Sequence, residues 1–233
     1  MRAALQRRNR TLARYWFDAE DNRRQVCPGL AGKRALVLDA EDSFTAMLAV
    51  QLRSLQLEVT IRPCTATTGL EQFDLVVAGP GPGDPRDRRD PRIAALWHLV
   101  RRSLREAIPL LCVCLSHQVL AAALGLELVR KPAPAQGTQV EIDLFGRRER
   151  VGCYHTFAAH AEQDRLHRVG LAGPVQVSRD PQTGEVHALR GPGFASTQFH
   201  PESLLTENGI HILAELCGSA LTSRAPGALQ RSG

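Results

Sequence analysis

Three side chains in this sequence have the types and surroundings that nucleophilic catalysis needs: Cys114, His200 and Glu202. Cys114 follows a short apolar run, Ile108 to Val113. Leu115-Ser116-His117-Gln118 comes next, and then a second apolar run, Val119 to Leu124, at helical spacing. This pattern predicts a buried strand, a sharp turn and a helix. A cysteine on such a turn points its sulfur towards the helix N-terminus, whose positive dipole end favours thiolate, as in a nucleophile elbow. A thiol nucleophile also needs a base, and the base needs an orienting acceptor. Gln198-Phe199-His200-Pro201-Glu202-Ser203 supplies both, with His200 at the end of the last strand and Glu202 able to swing back to the imidazole across the Pro201 turn. Each piece alone also has a plainer reading. A strand cysteine is commonly a small hydrophobe, and His-Pro-Glu is an ordinary strand-end turn. Of the other histidines, His117 is expected to point away from Cys114, and His155 to sit where it lines a pocket.

The rest of the chain must bring these distant residues together. Ala35–Leu38, Val59–Ile61, Leu75–Ala78 and the run ending at Cys114 read as short buried strands. They alternate with helices over Phe44–Leu55, Ile93–Arg105 (with Pro91 just ahead of it) and the stretch after Cys114, which predicts an α/β fold: an open, mostly parallel sheet with helices on both faces. Leu126–Val129 starts another strand, Lys131-Pro132-Ala133-Pro134 reads as a rigid connector, and Val140–Leu144 with Arg150–His155 reads as a hairpin around Phe145-Gly146-Arg147, a small antiparallel sheet. Further strands fall near Val175–Val177, Val186–Leu189 and Phe194–Phe199, and a last helix over Ser203–Leu216. Gly79-Pro80-Gly81-Pro82-Gly83-Asp84-Pro85 follows the third strand directly. Alternating prolines and glycines make a stiff loop with exposed N–H groups, at the strand end where open α/β sheets bind ligands. It lacks the Gly-Lys-Ser/Thr ending of a phosphate loop.

Composition narrows the function. The chain has 233 residues, 43% of them hydrophobic, enough for a sizeable core. No apolar run approaches the ~18 residues of a membrane span, and Met1–Arg14 has no apolar core of a secretory signal. The six cysteines are scattered without a C-x-x-C pair, so reduced thiols, a cytoplasmic setting and no metal site are expected. The formal charge of +5 is concentrated in residues 1–30, where seven arginines face three acids. That is not the footprint of a nucleic-acid-binding domain. Tyr15-Trp16-Phe17 lies within this basic stretch and is expected to be a docking patch. The expected organisation is a basic linker or docking segment over 1–30, one domain over 31–218 and a fraying tail over 219–233.

Taken together and in order, Gly79–Gly83, Cys114-Leu115-Ser116-His117-Gln118 and His200-Pro201-Glu202 resemble the motifs of the class I (triad-type) glutamine amidotransferases, which have a flavodoxin-like fold. The resemblance spans about residues 33–216. Asp39–Phe44 is similar to the first strand–helix turn of the anthranilate-synthase branch. Gly81–Asp87, Thr156-Phe157-Ala158-Ala159 and Glu185–Pro192 resemble the amidotransferase part of phenazine-type aminodeoxyisochorismate synthases, and Asn9–Asp18 the linker ahead of it. The resemblance implies that Cys114 attacks the side-chain amide of glutamine, that His200 moves the proton, and that Glu202 orients His200. It further implies an oxyanion site on the N–H groups of Gly81 and Leu115. Gln118, with backbone groups of Thr156 and Phe157, would hold the amino-acid end, while Pro82 and Gly83 line the rim. Ammonia would pass to a chorismate-binding synthase. No cofactor is implied for this chain, Mg2+ being expected only in the synthase partner. The usual elbow glycines are replaced by Cys112 and Ser116, which touches no triad member. An anthranilate synthase component, a free-standing γ-glutamyl hydrolase and a non-catalytic subunit stay open as alternatives.

Overall fold

A computed structural model describes residues 9, 11–17, 27 and 29–222. Among the described residues, ten strands and five α-helices follow one another: α1 (Arg14–Phe17), β1 (Arg34–Asp39), α2 (Phe44–Ser54), β2 (Glu58–Pro63), β3 (Leu75–Ala78), α3 (Pro91–Glu106), β4 (Leu110–Val113), α4 (Leu115–Ala123), β5 (Glu127–Leu144), β6 (Arg147–His160), β7 (Arg165–Leu166), β8 (Val175–Arg179), β9 (Val186–Gly191), β10 (Phe194–Thr197) and α5 (Gly209–Thr222). Eight strands form one sheet in the order β2-β1-β3-β4-β10-β9-β8-β7. The first five are parallel, and β9, β8 and β7 continue antiparallel. β5 and β6 form the separate antiparallel hairpin.

Side-chain alternation in the parallel strands divides the core into two layers. Leu36, Leu38, Val76, Ala78, Leu110 and Cys112 face α3 and α4. Ala35, Val37, Leu75, Val77, Leu111 and Val113 face α2 and α5. Pro91 opens α3 at its first turn, capped by Asp90, whose side chain accepts from the Arg92 N–H. The expected strands and first three helices recur within a few residues. Three elements differ.

Lys131–Pro134 is not a connector between elements but an interruption inside β5. Register runs from Arg130↔Phe157 to Ala135↔His155, so these four residues oppose Thr156 alone. Pro132 and Pro134 have no N–H to give to the ladder, which forces the break. The last helix begins at Gly209 rather than Ser203, because Ser203–Thr206 form successive turns, with Ser203 N–H on His200 O and Thr206 N–H on Ser203 O. Residues 11–17 lie against the domain instead of standing apart from it. Ala13 and Tyr15 are buried, the Tyr15 hydroxyl is 2.5 Å from Ser54 Oγ, and Phe17 alone of the aromatic trio is mostly exposed. Of the expected linker, Asp18 to Gly29, residues 18–26 and 28 lie outside the described residues, as does the tail beyond Thr222, and the tail's first residues, Ser219–Thr222, complete α5.

Candidate active site

β4 and β10 are adjacent and parallel, so their carboxyl ends meet at one edge of the sheet. The Cys114 N–H donates to Thr197 O at 2.8 Å, joining the two strand ends. Cys114 caps α4 with φ 54° and ψ −104°, a conformation non-glycine residues rarely adopt. The turn has a structural consequence. Strict alternation would set Cys114 on the side of Cys112. Instead Cys112 stays in the α3/α4 layer while Cys114 joins Val113, Cys153 and Phe199 in the other. Cys112 therefore packs away from Cys114, and burial pushes its thiol up. At the other non-glycine position of the elbow, Ser116 is buried and donates to Gly79 O at 2.6 Å. The serine hydroxyl ties the elbow to the Gly-Pro loop.

Three residues past β10, His200 is buried, with Nδ1 2.8 Å from Glu202 Oε1. Its other ring nitrogen, Nε2, is buried without a hydrogen-bond partner among the described residues. Burial acts most strongly, against the imidazolium, but it is outweighed by the Glu202 charge, the nearby Cys114 sulfur and the hydrogen bond to Glu202. The His200 pKa is thereby raised well above its ordinary value. The ring packs against Phe44, centroid 4.6 Å away, and Tyr154, at 5.0 Å, which also touch each other at 4.8 Å. Tyr154 is fixed in turn by its hydroxyl, 2.9 Å from Ser203 Oγ. The backbone around His200 is equally determined: its N–H donates to Gly152 O, and its carbonyl accepts from Thr206 Oγ1 at 2.5 Å.

Gly81 is wedged against the elbow. A Cβ there would stand 2.7 Å from Ala40 Cβ and 2.9 Å from Leu115 Cδ2. Among the described residues, neither the Gly81 nor the Leu115 N–H donates to another group, and the Leu115 N–H is one of the orphan donors of the α4 N-terminus. Pro82 and Gly83 continue onto the exposed rim, Gly83 with φ 126°. The Arg86 guanidinium lies 4.7 Å above the Phe157 ring, bringing this loop over β6. Gln118 Nε2 donates to Phe157 O at 2.6 Å, so its amide is engaged with the protein itself. Thr156 sits opposite the proline interruption of β5. His117 is buried against Ser196, with Nδ1 to Oγ 2.8 Å, and burial brings its pKa down to about 3. His155 is buried with Nε2 2.8 Å from Glu185 Oε1. Burial alone would raise the Glu185 pKa, but hydrogen bonds from His155 and Lys131 bring it down to about 2.

The sequence reading missed several members of this neighbourhood. Phe44 and Tyr154 come from distant elements and carry no signal of their own. Gln198 precedes His200 by two residues, and its amide reaches Gln118 Oε1-to-Nε2 at 3.1 Å and Cys114 Sγ at 3.8 Å. Parity with His200 at the end of a strand was the signal available for it.

A strained cysteine at a strand–helix elbow thus shares one edge of an α/β sheet with a buried histidine held by a glutamate. Comparison with known proteins gives the family. Residues 36–218 match glutamine amidotransferase class-I. The chain is 51% identical over 221 residues to "Anthranilate synthase, phenazine specific" of Pseudomonas fluorescens, covering 95% of this chain and 34% of that protein. It is 30% identical over 194 residues to "Anthranilate synthase component 2" of Mycobacterium tuberculosis (strain ATCC 25618 / H37Rv), covering 78% of this chain and 80% of that protein. A solved glutamine amidotransferase from Thermotoga maritima shares the fold, with a TM-score of 0.63 at 19% identity, covering 81% of this chain and 96% of that one. The chain belongs to the class I glutamine amidotransferase family. It spans about a third of the length of the phenazine-specific relatives. Among the described residues no helix is long and apolar enough to cross a membrane.

Proposed function

We propose that Cys114, His200 and Glu202 form a glutaminase triad. Its ammonia goes to a chorismate-using synthase that makes 2-amino-2-deoxyisochorismate, or anthranilate where that synthase also eliminates pyruvate. The reading is carried by one observation: the elbow cysteine and an imidazole held by a buried carboxylate lie at the ends of neighbouring parallel strands. Cys114 starts as the thiolate beside the His200 imidazolium. The sulfur attacks the side-chain amide carbon of glutamine, and the carbonyl electrons move onto oxygen, which the Gly81 and Leu115 N–H groups receive. As the tetrahedral centre collapses, the C–N bond breaks and His200 gives its proton to the departing nitrogen, releasing ammonia. Water then adds to the thioester with His200 as base, glutamate leaves, and the thiolate returns. Glu202 holds the imidazole orientation throughout and balances its charge. The backbone of Thr156 and Phe157 fixes the amino-acid end of glutamine, and Gln118 acts by bracing the Phe157 carbonyl.

The first product of this scheme, ammonia, is a reactive small molecule that must reach a partner, and the names of the relatives point to the partner's chemistry. Free cysteines throughout the described residues suit a reducing, cytoplasmic setting. The arginine-rich stretch over 1–30 is the segment we assign to contact with the synthase. Cys114→Ala is expected to lose glutamate release and glutamine-dependent amination by at least ~10^4-fold, while amination from added ammonium by the reconstituted synthase persists. Glutaminase activity retained by Cys114→Ala would remove the nucleophile assignment.

A further inference from the structure

Gln198 follows β10 and is buried, 1% exposed. Its backbone N–H donates to His187 O at 2.8 Å, which fixes the main chain. Its side-chain Oε1 accepts from Gln118 Nε2 at 3.1 Å. That contact sets the amide orientation, because Gln118 Nε2 donates to the Phe157 carbonyl as well and must itself be the donor. The remaining end of the Gln198 amide, Nε2, is therefore the one turned to Cys114 Sγ, 3.8 Å away.

We propose that Gln198 is a catalytic residue that donates its amide N–H to the Cys114 sulfur, holding the thiolate in line for attack and receiving it again when the thioester is released. The proposal rests on the nucleophile assignment made above. A thiolate accepts more than one hydrogen bond, and the His200 proton is committed to the leaving nitrogen during turnover. A neutral amide donor cannot lose its proton in that way. It stays on the sulfur side whatever the protonation of the imidazole, and it costs no unpaired charge when sulfur is covalently bound. Gln198 also links the nucleophile to the substrate subsite, since the same amide is in contact with Gln118 and, through it, with Phe157. The other titratable groups about this sulfur are His200, with Glu202 behind it, from the segment after β10, and Cys153 on β6, with Glu185 and Lys131 behind that. His117 on α4 turns to Ser196.

The test is the pH dependence of Cys114 alkylation by iodoacetamide in the full chain, followed on the Cys114 peptide by mass spectrometry. Gln198→Met removes the donor at nearly constant volume. It is expected to raise the alkylation midpoint by about one pH unit, the size of one hydrogen bond to a charged group. Gln198→Glu keeps the acceptor for Gln118 but presents a carboxylate to sulfur, and is expected to raise it further. This second variant carries the test if the first does not fold by circular dichroism. A purely structural Gln198 would lower stability and leave the midpoint where it is. Midpoints unchanged in the folded variants, with Cys114→Ala inactive in glutamate release, would overturn the role of Gln198 alone. Glutamate release by Cys114→Ala would overturn the nucleophile assignment beneath it.

Discussion

Glu202 gives one carboxylate oxygen to His200 and keeps the other, Oε2, buried without a hydrogen-bond partner among the described residues. An uncompensated carboxylate in that position acts mainly through its charge, and the charge keeps the imidazole protonated. Glu202→Gln tests this directly. The amide retains a shape that can meet Nδ1, but the His200 pKa falls towards or below its ordinary value near 6.5. In the wild type the imidazolium persists as the pH rises past that value; in the variant its proton is lost earlier, and with it the thiolate–imidazolium pair. Histidine NMR titration should show the shift, and kcat for glutamine should fall by about 10^2- to 10^4-fold. Stability has the corresponding sign. A raised folded-state pKa stabilises fully below the unfolded value near 6.5, and this contribution is lost as pH climbs through the folded-state pKa. The stability gap between wild type and variant should therefore narrow on alkalinisation. Cys114, His200 and Glu202 were each singled out as candidates by residue type and spacing. Gln198 was not, because a glutamine carries no chemistry until its amide has been aimed.

At the scale of elements, the turn after β10 does most of the positioning. Gly152 on β6 illustrates how tightly it is held: a Cβ there would lie 2.7 Å from Leu205 Cβ and 3.0 Å from Ser203 Oγ. Gly209 opens α5 under a stricter limit, with its Cβ position 1.8 Å from Pro201 O. Between them these two glycines let the hairpin and α5 close on the His200 loop from opposite sides. Gly152→Ala is expected to destabilise by about 1–3 kcal/mol through overpacking, read as a lower midpoint in thermal unfolding. It should also lower kcat more than it raises KM, because the displaced Ser203 carries Tyr154 and hence the imidazole. Helix periodicity failed to place the start of α5 because Ser203–Thr206 have ordinary helix-start residue types. Their hydrogen-bonding capacity is spent on the His200 backbone and on Gly152, whose N–H donates to Thr206 Oγ1. Tertiary demand overrode local preference there, as the missing proline donors did in β5.

Across the whole molecule, the N-terminal stretch behaves as a strap. Thr11 O accepts from Gln139 Nε2, Ala13 N–H donates to Leu204 O, and the Trp16 indole donates to Glu202 O at 3.1 Å. A segment whose charge and aromatic clump suggested docking thus ends on the backbone carbonyl of Glu202. Gln139 Nε2 also donates to Leu205 O, so strap, hairpin and turn share contacts. Trp16→Phe keeps the aromatic packing and removes one hydrogen bond. Its expected cost is about 1 kcal/mol of stability, with a fall in kcat and little change in the KM for glutamine, measured by steady-state glutaminase kinetics. An unchanged kcat would show that the strap stabilises the fold without influencing the site. Deleting residues 1–30 entirely would test synthase docking poorly, since the same cut strips Tyr15 from the core.

The order of apolar runs, the elbow pattern and the His-Pro-Glu run were enough to determine an α/β sheet and to single out Cys114 and His200 as candidates, because burial and strand parity are written in local periodicity. Only the tertiary structure decided which side of the sheet Cys114 faces, where Gln198 points, and that Trp16 reaches Glu202. These depend on a single strained dihedral angle, on competition between two amides and on the packing of a segment far away in the chain. Local periodicity alone specifies none of the three, so none could be settled until the strands were set side by side.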